Sequence, residues 1–171
     1  VLDSTTLEKK LKISRENLEE ELDKFVENTL EYAKKEKDLI LDLNPPEVET
    51  KIEGKHVLIV VRGQDYKEDL EAITSYIRDI EPVLIGVDGG ADALLEFGFE
   101  PDIIIGDMDS ISDHALKLGA ELLVHAYPNG EAPGLKRIQD LNLTAQKFPA
   151  PGTSEDIAMQ LAYEKGAELI T

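Results

Sequence analysis

The sequence contains no cysteine, which excludes disulfides, thiolate metal sites and cysteine nucleophiles. Histidine is scarce too: His56, His114 and His125 are too scattered for a histidine-based metal cluster. Cations are outnumbered, with 18 Lys and Arg against 36 Asp and Glu, a formal charge of −18. That balance argues against binding nucleic acid or an anionic membrane surface through this chain. A phosphate ligand would need a metal ion, backbone N–H groups or a local arginine to be accepted. No apolar run approaches the length that spans a bilayer, and no signal-peptide pattern is visible, so a cytoplasmic location is expected. Internal repeats, low-complexity tracts, a P-loop, a G-x-G-x-x-G fingerprint and a nucleophile elbow are also missing.

What is present is a globular composition, 42% hydrophobic and 32% charged, in 171 residues. That length allows one domain plus an appendage. The chain does not begin with Met and stops inside an apolar run, Ala167–Thr171, so it is expected to be a piece of a longer protein. The expected organisation is a helical segment over 1–43, a linker over 44–54 and an α/β domain over 55–171. Ser14 reads as a helix N-cap, with Glu16 and Glu19–Glu21 near the positive end of the helix. Leu18, Leu22, Phe25, Thr29 and Tyr32 form one apolar stripe, with Glu20–Lys24 and Glu31–Lys35 as i,i+4 pairs. This helix either packs on the α/β domain or pairs with a second copy as a homodimer. Asn44-Pro45-Pro46 ends it, and Pro45–Lys55 is a linker or an edge segment.

Six apolar runs alternate with helical patterns: His56–Val61, Val83–Val87, Ile103–Ile105, Leu122–His125, the weaker Thr144–Phe148 and Glu168–Ile170. Between them Tyr66–Asp79, Ala91–Phe97, Ser112–Leu118, Leu135–Leu141 and Thr153–Lys165 read as helices. The expectation is α/β, a doubly wound and mostly parallel sheet preceded by a long N-terminal helix.

Two strands end in acidic turns, Asp88-Gly89-Gly90 and Gly106-Asp107-Met108-Asp109-Ser110. Ligands of parallel sheets bind just beyond the carboxyl ends of the strands, where these aspartates fall. Carboxylates placed close together repel and favour a hard divalent cation such as Mg²⁺, which usually brings a phosphate with it. Asp107 and Asp109, two apart, would point to one side of extended backbone. Asp88, Asp107 and Asp109 are therefore the candidate metal and catalytic residues of a Mg²⁺–polyphosphate site. Gly89 and Gly90 would let a ligand approach and offer N–H groups to phosphate. Arg62 is either a phosphate ligand or half of a surface ion pair. Ser110-x-x-Asp113 has capping-box spacing, as has Thr153-x-x-Asp156, and Asp92 suits a helix dipole. His125 and Tyr127 sit at a strand mouth, where the histidine is a base, a ligand or a packed group, and Asn129–Gly134 is a wall or lid.

The pair Gly86–Asp92 (GVDGGAD) and Pro101–Ser110 (PDIIIGDMDS) resembles the catalytic domain of thiamin pyrophosphokinase. His56–Tyr66 (HVLIVVRGQDY), His125–Pro128 (HAYP) and Gly152–Met159 (GTSEDIAM) resemble the SteA-like family of cytokinetic ring proteins. The first resemblance implies Mg²⁺-dependent transfer of pyrophosphate from ATP to thiamin, with Asp88, Asp107, Asp109 and Asp156 holding metal and phosphate, and Ser110 beside them. It also implies a Lys-Asp-x-Thr-Asp motif whose Lys and first Asp are replaced here by Gly152 and Thr153. The second implies a scaffold with residual nucleotide binding, cell-division partners, and membrane-spanning segments beyond residue 171.

Overall fold

In a computed structural model the described residues are 4–41 and 44–171, with only the backbone described over 29–41. The chain divides into two units, one ending at Asp42 and the other running from Leu43 to Thr171.

The first unit is one helix, α1 (Ser4–Leu41). It starts at Ser4, so Ser14 lies inside it and caps nothing. Residues 4–13 contain neither Pro nor Gly, and Leu7 and Leu11 continue the spacing of Leu18 and Leu22, so nothing halts the helix at Ser14. The Glu20–Lys24 pair forms at 3.1 Å. The expected contributions of Thr29, Tyr32 and the Glu31–Lys35 pair lie outside the described side chains.

The second unit is a six-stranded parallel sheet with helices on both faces. Its elements are β1 (His56–Val61), α2 (Tyr66–Ile80), β2 (Val83–Val87), α3 (Gly90–Glu96), β3 (Ile103–Gly106) and α4 (Asp113–Leu116), then β4 (Glu121–Ala126), α5 (Leu135–Asp140), β5 (Gln146–Pro149), α6 (Ser154–Glu164) and β6 (Leu169–Ile170). The strand order is β5-β4-β3-β2-β1-β6, and every pairing is parallel. Strands buried on both faces need near-continuous apolar sequence, and β2 and β3 are buried at every residue.

Side-chain alternation sorts the core. Val57, Val83, Ile85, Ile103, Ile105, Leu123 and Phe148 pack with Ile157, Ala158 and Leu161 of α6. On the opposite face Ile104, Leu122 and Val124 meet α3, α4 and α5, while Leu58, Val60 and Leu84 meet α2 and α3. The chain thus steps from β1 to β5 with its helices on one face, then crosses under the sheet through α6 to reach β6. β4 feeds a helix on one face and β5 a helix on the other, so their exits diverge and leave a crevice.

The stretch expected as a linker is packed into this unit. Ile52 is a core residue, and Val48 lies against the same cluster. The Glu49 amide donates to the Glu121 carboxylate at 2.8 Å, and Thr50 donates to it through both its amide and its hydroxyl. The Glu47 carbonyl accepts from Gln146 Nε2 at 2.6 Å. Ile52→Ala is therefore expected to lower the unfolding free energy by about 2–4 kcal/mol, the cost of a core truncation. Urea unfolding checks this, and a change near zero would restore the linker reading.

Candidate functional site

β2 and β3 are neighbours in register, Val87 beside Ile105, so their exits lie side by side. Asp88 follows β2 in a left-handed conformation, φ 48°, which aspartate tolerates better than most side chains. Its amide donates to the Ile105 carbonyl at 2.9 Å. Its side chain crosses to the next strand, where Oδ1 accepts from the Asp107 amide at 3.1 Å. Gly106 permits that crossing, because a Cβ there would stand 1.8 Å from Asp88 Oδ1.

Asp107 and Asp109 are brought together by a turn and not by extended backbone. Met108 has φ 74°, unusual for a residue with a side chain. It is buried, and its carbonyl accepts from Arg137 Nη1. The reversal lets Asp107 Oδ1 accept from the Asp109 amide at 2.9 Å, a local Asx turn. Arg137 also pairs with Asp113 at 2.7 Å, bracing α5 against the loop after β3. The cap of α4 is Ser112, whose hydroxyl accepts from the Ala115 amide at 3.1 Å. Asp113, turned to Arg137, does not form the expected box with Ser110, and Ser110 is exposed in the turn. Asp92 holds the same loop, accepting from the Ser112 amide at 2.9 Å and from its hydroxyl. That contact goes beyond the expected helix-dipole role.

A cleft of about 480 Å³ opens at the diverging exits of β4 and β5. Asp107 and Asp109 form one side, His125 and Tyr127 another, and Pro133–Gly134 and Gly152–Ser154 the rest. The loop read as a wall or lid supplies Pro133 and Gly134, and a Cβ on Gly134 would come 2.0 Å from the Asp107 carbonyl. His125 is fixed from both sides, with Nε2 2.9 Å from the Ala150 carbonyl and Nδ1 3.0 Å from Ser154 Oγ. A carbonyl only accepts, so Nε2 carries the proton toward it. In that tautomer Nδ1 accepts a hydrogen bond from the Ser154 hydroxyl.

Asp88 adjoins the cleft through Asp107 but does not line it, and other expected residues also fall outside its walls. Arg62 pairs with Glu96 at 3.5 Å and lies over the Tyr66 ring, while its stem covers Gly89. Gly89 and Gly90 are buried, and a Cβ on Gly90 would meet the Val60 carbonyl at 1.8 Å. Their small size serves close packing on β1. The Asp156 carboxylate is turned back on its own helix, accepting from the Thr153 amide and hydroxyl at 3.0 Å each, in a complete capping box.

The electrostatics centre on Asp88, whose pKa is pushed up from its ordinary 3.8 to about 6. Burial is the largest cause and the Asp107 charge the next, with Glu155 adding to it, while the Asp107 amide pulls the other way. Among the described residues no ion pair reaches Asp88, Asp107 or Asp109. No three acidic or histidine side chains there converge to cage a metal alone. The oxygens present nevertheless fit Mg²⁺, which is commonly held by one or two carboxylates together with water and substrate phosphates.

The model of the thiamin pyrophosphokinase catalytic-domain family matches residues 74–159. The chain belongs to this family. The match runs from within α2 into α6 and takes in Asp88, Asp107, Asp109 and the cleft. Among solved structures the chain is similar to thiamine pyrophosphokinase from Bacillus subtilis, at 26% identity and a TM-score of 0.42. The similarity covers 68% of this chain and 45% of that one, so this chain spans less than half of that protein's length. No curated protein matches the chain.

Sequence reading missed Ser154, Glu155, Arg137 and the Asp92–Ser112 contact. Ser154 and Glu155 carried a signal, since both fall in the same GTSED run as Asp156.

The Asp88 shift has a defined sign. The folded pKa lies above the unfolded one, so the folded chain holds the proton more tightly. The associated stability is complete below 3.8 and is lost as pH rises through about 6. Asp88→Asn keeps the oxygen that accepts from Asp107 and removes the charge. Because the group is only half-buried, the expected gain at neutral pH is about 1 kcal/mol. Thermal unfolding at neutral pH and near pH 4 checks this: the gain should disappear at the lower pH.

Proposed function

We propose that the cleft binds a magnesium–nucleotide polyphosphate, and that the chain is the ligand-binding domain of a SteA-like cell-division scaffold. The observation that carries this reading is the Asp88–Asp107 contact, an acidic pair at adjacent strand exits with no ion-pair partner among the described residues. In a chain of charge −18, a polyphosphate arriving without a counter-ion would be repelled. Asp88 and Asp107 would hold Mg²⁺; Asp107 and Asp109 line the cleft, and Asp88 sits beside it, bonded to the Asp107 amide. When bound, the ion would neutralise phosphate charge and bridge it to the protein. His125 and Ser154 close the opposite wall with a hydroxyl and a ring in a fixed tautomer. The SteA-like assignment rests on HVLIVVRGQDY, HAYP and GTSEDIAM, and it brings division partners and a membrane anchor outside residues 1–171.

The second reading is pyrophosphoryl transfer from ATP to thiamin, favoured by membership of the pyrophosphokinase family. Against it stands the loop that carries Lys and Asp in the family motif. Here Gly152 has φ 87°, and a Cβ on it would stand 3.0 Å from Asp156 Oδ2. The loop is closed by the Thr153–Asp156 box, and Asp156 is occupied within it. Binding needs only the carboxylate pair, whereas transfer needs further charge at the reacting phosphates.

Calorimetric titration with ATP is expected to give binding that requires Mg²⁺. Asp107→Asn should weaken it at least tenfold, and Asp109→Asn less. Binding that is unchanged without Mg²⁺ would overturn the site. Thiamin-dependent release of AMP would overturn the scaffold reading in favour of transfer.

A further inference from the structure

We propose that α1 pairs antiparallel with α1 of a second copy of this chain, centred between Ser14 and Arg15. The helix begins early enough to carry an apolar stripe that continues N-terminally from Leu18 and Leu22 through Leu11 and Leu7. These side chains are exposed, Leu11 at 60%, Leu18 at 57%, Leu22 at 52% and Phe25 at 68%. A helix of this kind owes its stability mainly to burial of its apolar face.

Charge selects both the partner and the direction. Residues 4–15 hold four cations (Lys9, Lys10, Lys12, Arg15) and one anion, net +3. Residues 16–27 hold six anions and one cation, net −5. Two copies running parallel would set like charge against like along the whole contact. Running antiparallel, each basic half lies along the acidic half of the other copy, so the helix is complementary to itself. Centring the pair between Ser14 and Arg15 places Leu11 across from Leu18 and Leu7 across from Leu22. It sets Ser4 across from Phe25, giving a two-fold contact about 30 Å long at 1.5 Å per residue. This pairing is independent of the nucleotide reading, because none of its residues belongs to the cleft.

The absence of cysteine supplies a clean test on the full chain. Ser14→Cys should cross-link to itself with a short bismaleimide, since both copies place it at the centre. Ser4→Cys should not, because its two copies would lie about 30 Å apart along the axis. Sedimentation should show a dimer at micromolar concentration, and the double variant Leu11→Glu/Leu18→Glu should be monomeric while its Mg²⁺–ATP titration is unchanged. A monomeric parent chain, a dimer that survives the double variant, or self-linking of Ser4→Cys as fast as Ser14→Cys would each overturn the proposal.

Discussion

The Asp88 carboxylate reaches across from one strand exit to the backbone of the next, which sets two acidic residues side by side. Asp88 is bound at its amide to β3 and at its carboxylate to the Asp107 amide. Asp107 is fixed in turn by the reversal at Met108, whose carbonyl Arg137 grips from α5. Burial first and the Asp107 charge second raise Asp88 to about 6. Such an arrangement costs the folded chain stability unless positive charge arrives from outside.

The glycines around the pair follow from the same constraint. Gly106 clears the path of the Asp88 carboxylate, and Gly134 lets its loop touch the Asp107 carbonyl. Gly90 brings α3 onto the end of β1. Gly86 lets α3 pack closely on β2, since a Cβ there would meet Ala91 at 2.7 Å. Backbone packed this tightly carries little slack, which suits a site whose charges must stay where repulsion opposes them.

The layered fold was legible because each strand is a short apolar run closed by turn residues, and the pattern survives even in weak β5. The position of Asp88, Asp107 and Asp109 was legible for the same reason, since strand ends in a parallel sheet point one way. Less legible was anything decided by contacts distant in sequence. Ile52 looks like part of a polar linker until Glu121 captures Glu49 and Thr50. Asp113 looks like half of a capping box until Arg137 draws it away. Arg62 sits at a strand exit as a phosphate ligand would, but Glu96 is near enough to claim it. The start of α1 was misplaced because a serine ahead of acidic residues is a good cap that the chain simply does not use.

The turn at Gly152 bears on what the rim of the cleft can carry. A lysine introduced there would have to occupy left-handed backbone while its stem pressed on the Asp156 carboxylate. A lysine at this position would therefore compete with the cap of α6. The glycine and the occupied aspartate thus hold each other in place.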